Sequence, residues 1–256
     1  MPETDLDLLV AAAREAGKIA SGYFKDDPKT WDKGGGAGPV TEADLAVDAM
    51  LRSELTASRS GYAWLSEETE DDPRRLDAET LFIVDPIDGT RAFIEGSRTW
   101  SHSLAIADKG VVTDAVVYLP MRDKLYAASL GKGATLNGAP MRVSDAALDG
   151  ATLLANKWNM NAEYWQGTVP PVERHFRSSI AYRMALIAEG RFDAMITLRD
   201  SWEWDIAAGD LLIREAMGHV TDRKGAPLRF NNPRPQTKGV LAAGTVLHAA
   251  LYDRLA

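Results

Sequence analysis

Asp85-Pro86-Ile87-Asp88-Gly89-Thr90 carries two carboxylates three residues apart, directly after an apolar run at residues 81–84. The run predicts a buried strand, so both acids emerge where a strand ends and a turn begins. Proline fixes φ and ends the ladder of hydrogen bonds, whereas glycine allows a left-handed backbone. Thr90 is predicted to cap a helical turn and leave backbone amides free to face an anion. Carboxylates beside free amides suit hard metal ions and a phosphate together, although the same residues also form ordinary turns.

Three other acids stand at the predicted ends of secondary-structure elements. Glu67 follows a short strand predicted at residues 62–65, and Asp205 begins a helix predicted from residue 204 to about residue 217. Asp44 lies in the first turn of a helix predicted at residues 40–55 with Thr41 as its N-cap, where the helix dipole alone also favours an acid. Carboxylates gathered in one place repel, so cations hold them together or some are protonated. Magnesium is the natural candidate, because it prefers oxygen ligands, and a pair of such ions can activate water against a phosphate ester.

Composition and net charge exclude several kinds of binding partner and reactive site. The chain has 256 residues, of which 45% are hydrophobic and 26% charged, so one large domain or two packed subdomains are both expected. A formal net charge of -8 argues against binding a nucleic-acid polymer. The absence of cysteine excludes disulfides, thiolate zinc sites and a cysteine nucleophile, and the four histidines have no metal-ligand spacing. Residues 1–9 lack the form of a signal peptide and no apolar run could span a bilayer, so a cytoplasmic protein without a membrane partner is expected.

The remaining apolar patterns predict a fold that mixes helices and antiparallel strands. Helical spacing covers residues 5–24, 180–189 and 245–255, and strands are predicted at residues 103–107, 111–119, 124–130, 151–155, 192–198 and 240–243. A hairpin with a Lys224-Gly225 turn is predicted at residues 219–229. The Gly-rich residues 34–39 lack the lysine and serine or threonine of a P-loop, so they are interpreted as a mobile lid with Lys33 at its root.

Several segments together resemble the inositol monophosphatase family. The resemblance rests on Glu67-Glu68, the segment from Asp85 to Thr90, Trp204-Asp205-Ile206-Ala207-Ala208-Gly209, and two further segments at residues 39–44 and 133–138, all in the expected order. It covers nearly the whole chain and implies an α/β (α+β) fold, a layered αβαβα sandwich with mixed and antiparallel sheets. It also implies an N-terminal α+β subdomain (residues 1–145) with most metal ligands, and a C-terminal α/β subdomain (residues 146–256) that supplies Asp205 and substrate contacts.

The resemblance implies a metal-dependent phosphatase that uses two to three Mg²⁺ ions. Its implied metal ligands are Glu67, Asp85, the carbonyl oxygen of Ile87, Asp88 and Asp205. Its implied catalytic residues are Thr90, Asp44 and Glu67, of which Thr90 and Asp44 orient and deprotonate the attacking water. Its implied substrate contacts are Gly89, Thr90, Asp88, Asp205, Lys33 and Ala181. Similar enzymes are commonly inhibited by lithium and form homodimers, so both properties are expected here.

The substrate is expected to be a small phosphorylated metabolite. Inositol-specific members carry a glutamate seven residues before Asp205, where this chain has Leu198. The chain resembles the bacterial bisphosphate nucleotidase branch of the family slightly more closely than the other branches. This resemblance favours a 3′(2′),5′-bisphosphate nucleotide as substrate over inositol 1-phosphate, histidinol phosphate or fructose bisphosphate. A stacking face for adenine is predicted from Trp158, Tyr164, Trp165, Tyr182 and Trp202, and a second phosphate contact from Lys157, Arg177 or Arg183. Core or dimer-interface packing explains the same aromatic residues equally well.

Two other interpretations stay open at this point. A non-catalytic binding protein can keep the fold of an enzyme, because function resides in the site. The complete acid set together with Thr90 argues against that interpretation. A phosphatase that also presents a protein-binding surface around residues 158–165 is the other alternative.

Overall fold

A computed structural model describes residues 3–34 and 38–256. Its α-helices are α1 (Asp5–Tyr23), α2 (Glu42–Ser58), α3 (Thr90–Ile94), α4 (Ile180–Ala188), α5 (Glu203–Glu215) and α6 (Thr245–Tyr252). Its strands are β1 (Thr30–Asp32), β2 (Pro39–Thr41), β3 (Ala63–Ser66), β4 (Thr80–Asp88), β5 (Ser101–Asp108), β6 (Val111–Leu119), β7 (Lys124–Ser129), β8 (Ala134–Leu136), β9 (Ala139–Pro140), β10 (Thr152–Ala155), β11 (Glu173–His175), β12 (Ala194–Thr197), β13 (Ser201–Trp202), β14 (His219–Thr221), β15 (Gln236–Thr237) and β16 (Val240–Ala243).

Helical layers and two large sheets alternate through the described part of the molecule. The larger sheet has the order β3-β4-β5-β6-β7-β8-β9, and the smaller has the order β11-β10-β12-β16-β14. Helices α1 and α2 pack on one face of the larger sheet, α4 and α5 lie between the sheets, and α6 packs on the outer face of the smaller sheet. Both sheets are mixed, since β3 is parallel to β4 whereas β4 is antiparallel to β5, and β12 is parallel to β10 but antiparallel to β16. The predicted αβαβα sandwich is therefore confirmed.

Strand β4 serves two hydrophobic cores at once. Phe82 and Val84 pack toward α1 and α2, whereas Leu81 and Ile83 pack toward α4 and α5. A strand that is buried on both faces needs an uninterrupted apolar run, which explains the pattern at residues 81–84. Because β4 is held on both sides, its carboxyl end is a rigid place from which side chains can project.

A side-chain cap begins α2, as the sequence predicts. The Thr41 hydroxyl accepts hydrogen bonds from the amides of Ala43 and Asp44, at 3.2 and 3.4 Å, and the Asp44 carboxylate accepts one from the Thr41 amide at 2.9 Å. This reciprocal capping box buries Asp44 at the start of α2. The cap predicted at Thr90 is wrong by one residue: Gly89 is the N-cap of α3, with a left-handed φ of 97°, and Thr90 is the first helical residue.

The hairpin predicted at residues 219–229 is wrong. Strand β14 pairs with β16, and the chain after β14 makes a turn closed by a 2.8 Å hydrogen bond from the Asp222 amide to the Ala226 carbonyl. Gly225 has a positive φ in that turn, so the turn residues were interpreted correctly. The second arm does not pair back, because β16 already supplies the sheet partner of β14.

The lid predicted at residues 34–39 falls partly outside the described residues, since residues 35–37 are not among them. On either side of them, β1 and β2 form a small antiparallel ladder that the sequence analysis missed. The boundary between subdomains at residues 145 and 146 stays a prediction. Within the described residues, every helix is too short or too polar to cross a bilayer.

Candidate active site

A cleft of about 470 Å³ opens where β3 and β4 end and where α3 and α5 begin. Six of the residues singled out from the sequence line it: Glu67, Asp85, Asp88, Gly89, Thr90 and Asp205. Glu67 directly follows β3, the two aspartates are the last part of β4, and Asp205 lies in the first turn of α5. Residues far apart in the sequence therefore meet at one edge of the larger sheet.

A bulge at the end of β4 sets the direction of the two aspartates. Asp85 pairs with Ser103 of β5 and Asp88 pairs with Ser101, so one extra residue lies between the pairs on β4. Pro86 lies in this bulge and has no backbone N–H to donate to the ladder. Gly89 then takes the left-handed backbone and passes close to Ser179, where an added Cβ would lie 3.4 Å from the serine side chain.

Glu67, Asp85 and Asp205 form a three-carboxylate cluster. Each offers one oxygen atom, and the three oxygen atoms lie within 4.8 Å of one another. Oδ1 of Asp85 is buried and has no hydrogen-bond partner among the described residues. An orphaned buried acceptor is unfavourable unless a cation or water satisfies it. The oxygen-only donor set and the unpartnered atom fit a hard divalent cation such as magnesium.

Burial and mutual repulsion raise the pKa values of two of these acids when no metal is bound. Burial, followed by the charges of Glu67 and Asp88, raises the pKa of Asp85 well above its usual range. Burial, followed by the charges of Asp88 and Glu67, does the same to the pKa of Asp205. A bound cation reverses this effect, because it favours the charged form of each ligand.

Asp88 is held differently from the three clustered acids. Its carboxylate accepts hydrogen bonds from the Ser179 hydroxyl at 2.6 Å and from the amides of Ile180 and Ala181 at 3.2 and 2.6 Å. Asp88 thereby satisfies the N-terminus of α4, yet burial still raises its pKa to about 6. The amide of Ala181 is engaged by Asp88, and Ala181 does not line the cleft. The metal-ligand role of Asp88 and the substrate contact of Ala181 stay predictions.

Lys33 reaches the cluster from the β1–β2 ladder. Its Nζ donates to Oε1 of Glu67 at 2.7 Å and to Oε1 of Glu68 at 2.6 Å. Burial opposes the charge on Lys33, but the two glutamates outweigh it and raise its pKa to about 12. Burial, followed by the charge of Glu67, raises the pKa of Glu68 to about 7. A permanently charged lysine therefore lies beside the carboxylates.

Thr90 and Asp44 form a hydrogen-bonded pair beside the cluster. The Thr90 hydroxyl donates to Oδ1 of Asp44 at 3.1 Å, and its oxygen is also 3.2 Å from the carbonyl oxygen of Ile87. Both side chains are buried, and burial raises the pKa of Asp44. When the hydroxyl donates to Asp44, its oxygen is left as an acceptor for a water molecule. This arrangement can orient a water and take up its proton.

Five residues of the cleft were not anticipated: Arg91, Ala92, Glu95, Phe176 and Ser178. Phe176 is 48% exposed, and the Arg183 guanidinium carbon lies 4.6 Å from the centre of its ring. Arg91 directly follows the motif and could have been found from that position. Phe176 and Ser178 come from the segment before α4, and no local pattern marks them.

The aromatic stacking face predicted for the substrate is wrong in position. Trp158, Tyr164, Trp165, Tyr182 and Trp202 do not line the cleft. Trp165 is buried and donates its indole N–H to the Asn159 carbonyl at 2.8 Å. Trp158 and Tyr164 pack against the outer face of the smaller sheet, and Trp202 stacks on Trp204 at 4.7 Å. Packing explains these residues, and among the described residues it is Phe176 that contributes an aromatic ring to the lining of the cleft.

Magnesium is expected to stabilise the protein more at pH about 7.5 than at pH about 5. Asp88 and Glu68 have folded-state pKa values of about 6 and about 7, above the roughly 4 of unfolded carboxyl groups. The metal-free fold therefore holds protons that the unfolded chain releases, and this contribution to its stability is lost as pH rises through 6 to 7. Burial also raises the pKa values of the clustered acids Asp85 and Asp205 well above their usual range, so these two carboxyl groups hold protons in the same way. Magnesium competes with the protons on its ligands, so its effect grows as pH rises.

The measurement is the gain in melting temperature on adding magnesium at each pH. The gain on adding magnesium is compared, rather than the melting temperature itself, because two histidines also make the stability depend on pH. Burial lowers the pKa values of His102 and His248 to about 4, so their contribution to stability grows as pH rises. Their contribution is common to both samples and cancels. A gain that is equal at the two pH values would contradict a metal site built on these acids.

Sequence comparison identifies the family and two known proteins that this chain resembles. A sequence model of the inositol monophosphatase family matches residues 1–256. The chain is similar to the inositol-1-monophosphatase of Rhizobium meliloti (strain 1021), with 35% identity over 232 residues and 86% of each chain covered. It is also similar to the Nus factor SuhB of Escherichia coli (strain K12), with 36% identity over 233 residues, 86% of this chain and 85% of that protein.

Solved structures show the same fold. The extragenic suppressor protein suhB from Bartonella henselae aligns with a TM-score of 0.84 and 27% identity, covering 96% of each chain. The IMPase from Thermotoga maritima aligns with a TM-score of 0.81 and 27% identity, covering 97% of this chain and 95% of that chain. The likeness extends over both sheets and is not confined to the segments around the cleft.

Proposed function

The chain belongs to the inositol monophosphatase family of metal-dependent phosphatases, and we propose that it hydrolyses a 3′(2′),5′-bisphosphate nucleotide with Mg²⁺. Family membership makes the protein a phosphoric monoester hydrolase, so the non-catalytic interpretation is set aside. The three-carboxylate cluster beside the Thr90–Asp44 pair is the observation that supports metal-dependent hydrolysis at this cleft. The nucleotide is the proposal for the substrate.

In the proposed reaction, each part of the cleft has a separate task. Glu67, Asp85 and Asp205 would hold magnesium, which when bound polarises phosphate oxygens and lowers the pKa of water. The backbone amides that begin α3 at Gly89 and Thr90 would bind phosphate oxygens. Thr90 would orient the attacking water through its hydroxyl oxygen, and Asp44 would accept the proton that the pair releases. Lys33 would offset the negative charge of the glutamates.

Phe176 supports a substrate with an aromatic base. Its half-exposed ring lines the cleft, and the Arg183 guanidinium packs against the ring at 4.6 Å from its centre. A base stacked on an aromatic side chain gains about 1–3 kcal/mol. Leu198, at the position where inositol-specific members carry a glutamate, is buried in the outer core of the smaller sheet and offers no hydrogen bond to a ring hydroxyl.

Inositol 1-phosphate is the second candidate substrate. The relative from Rhizobium meliloti is an inositol-1-monophosphatase with 35% identity to this chain. The two candidate substrates are expected to interact differently with Phe176, since a nucleotide base can stack on its ring whereas a polyol ring has no aromatic face to stack. The lithium sensitivity, the number of magnesium ions, the homodimer and the cytoplasmic location also stay proposals.

The test compares phosphate release from 3′-phosphoadenosine 5′-phosphate and from inositol 1-phosphate, each with magnesium and with or without lithium. We expect a higher kcat/KM for the nucleotide, and a KM for it that rises at least fivefold in Phe176→Leu because the stacking energy is lost. The same variant should leave the KM for inositol 1-phosphate within twofold. Tyr252→Leu is the control, since Tyr252 is an exposed aromatic residue at the end of α6 and does not line the cleft.

Two results would overturn the nucleotide proposal. One is a higher kcat/KM for inositol 1-phosphate, which would make Leu198 a tolerated departure from the inositol-specific pattern. The other is equal sensitivity of both substrates to Phe176→Leu, which would give Phe176 a structural role.

A further inference from the structure

A second cavity of about 460 Å³ lies on the far side of the segment that precedes α4. We call it the basic cavity, because Arg122, Lys124, Arg177 and Arg191 line it together with a single acid, Glu189. Buried Tyr182 forms part of its floor. None of these residues lines the catalytic cleft.

The charges in the basic cavity do not cancel. Lys124 is paired with Glu189, whose carboxylate oxygens lie 2.8 and 2.9 Å from Nζ, and Glu189 also accepts a hydrogen bond from the Tyr126 hydroxyl at 2.6 Å. Within residues 3–34 and 38–256, no carboxylate lies within 4.0 Å of the charged group of any of the three arginines. Three uncompensated positive charges around one cavity are notable in a chain whose formal net charge is -8.

Two of the arginines are held in place by the protein. Arg122 donates from Nε to the Arg98 carbonyl at 2.8 Å, and its guanidinium carbon lies 5.9 Å from the centre of the Tyr182 ring. Arg177 donates from Nη1 to the Phe176 carbonyl at 2.6 Å, and its guanidinium carbon lies 5.3 Å from the centre of the Phe192 ring. Each group uses one N–H in these bonds, so the remaining donors are available to a ligand.

We propose that the basic cavity binds a small phosphorylated anion at a site separate from the catalytic cleft. Guanidinium groups present paired N–H donors that match phosphate oxygens, and groups that are already oriented lose little entropy on binding. The volume of the cavity is in the range of small-molecule sites. Tyr182, which also lines the cavity, carries a hydroxyl that can serve as a neutral donor.

The two sites are neighbours that share one segment of chain. Phe176 and Ser178 line the cleft, whereas Arg177 between them lines the basic cavity. The hydroxyl oxygens of Ser178 and Thr99 lie 3.4 Å apart across this boundary. The sites differ in charge, because the cleft without metal presents clustered carboxylates and the basic cavity presents arginines. A phosphate group that binds in the absence of metal is therefore expected in the basic cavity.

Calorimetric titration of the full-length, metal-free protein with inorganic pyrophosphate at low ionic strength tests this site. We expect saturable binding of one pyrophosphate per chain in the presence of a chelator. Arg122→Gln and Arg191→Gln should each raise the Kd at least tenfold. Arg142→Gln is the matched control, because Arg142 is an exposed arginine outside both cavities, and it should change the Kd less than twofold.

Three results would overturn the proposal. No saturable binding would show that the cavity does not hold such an anion. Equal weakening by Arg142→Gln and the two cavity variants would reduce the effect to the overall charge of the protein. Binding that survives both cavity variants but changes in Asp205→Asn would locate the anion in the catalytic cleft. Arg191 is exposed and lies outside the helices and strands, so Arg191→Gln keeps the test valid if Arg122→Gln fails to fold.

Discussion

Asp205→Asn is expected to abolish magnesium-dependent phosphate release and, at the same time, to raise the melting temperature of the metal-free protein. Asp205 supplies one of the three clustered carboxylates, and burial followed by the charges of Asp88 and Glu67 raises its pKa well above the usual range. Asparagine is neutral at every pH, so the metal-free fold no longer bears the free-energy cost of repulsion at this position or of protonating the buried acid. It also weakens the cation site, and loss of metal assistance is expected to lower kcat/KM at least about a thousandfold, or roughly 4 kcal/mol.

The expected rise in melting temperature distinguishes an acid that binds metal from an acid that only stabilises the fold. Glu203 is the matched control, because it is a fully buried acid two residues earlier in α5. Its carboxylate accepts hydrogen bonds from the amides of Asn231 and Asn232 at 2.8 and 2.9 Å. Glu203→Gln is therefore expected to lower the melting temperature and to keep the gain on adding magnesium. Thermal melts of both variants with and without magnesium are the measurement.

The opposite result for Asp205→Asn would contradict the proposed metal site. A metal-free melting temperature that falls as in Glu203→Gln would mean that Asp205 is a structural acid. A magnesium-induced gain equal to that of the unchanged protein would mean that the cation binds elsewhere.

The order of elements and the acid cluster were accessible from sequence for a physical reason. Asp85 follows an apolar run that is buried on both faces, and Thr41 with Asp44 forms a capping box, so local chemistry fixes both positions. Glu67 and Asp205 also lie at element ends. Their convergence with Asp85 required the family resemblance, because spacing along the chain does not say which element ends meet.

The parts that sequence reasoning missed depend on tertiary contacts. Asp88 looks like Asp85 in the motif, yet it caps α4 through Ser179 and two amides that lie more than 90 residues away. Trp165 and Phe176 are both aromatic residues of the segment between β10 and α4, but only the packing decides that one is core and the other lines the cleft. The basic cavity likewise gathers arginines from separate segments with no shared pattern.

Thr90→Val is expected to lower kcat at least about a hundredfold while changing KM less than about threefold. Valine has nearly the shape of threonine, so the change removes the hydroxyl that donates to Asp44 at 3.1 Å and leaves the packing of α3 in place. Without that hydroxyl, the attacking water loses its acceptor and its path for the proton to Asp44, a loss in the range of general-base effects. The substrate contacts at the amides of Gly89 and residue 90 do not depend on the side chain, which is why binding should persist.

Two variants decide whether this loss comes from removing the hydroxyl or from perturbed packing of α3. Thr90→Ser restores the hydroxyl and is expected to recover activity to within about tenfold of the unchanged protein. Thr80→Val removes a comparable hydrogen bond, since the Thr80 hydroxyl donates to Oδ1 of Asp108 at 3.1 Å at the opposite end of β4. It is expected to keep kcat. If Thr90→Val retained most of its turnover, or if Thr90→Ser were as inactive as Thr90→Val, the water-orienting role of Thr90 would be wrong. Retained turnover in Thr90→Val would mean that the proton leaves by a route that does not pass through the Thr90 hydroxyl.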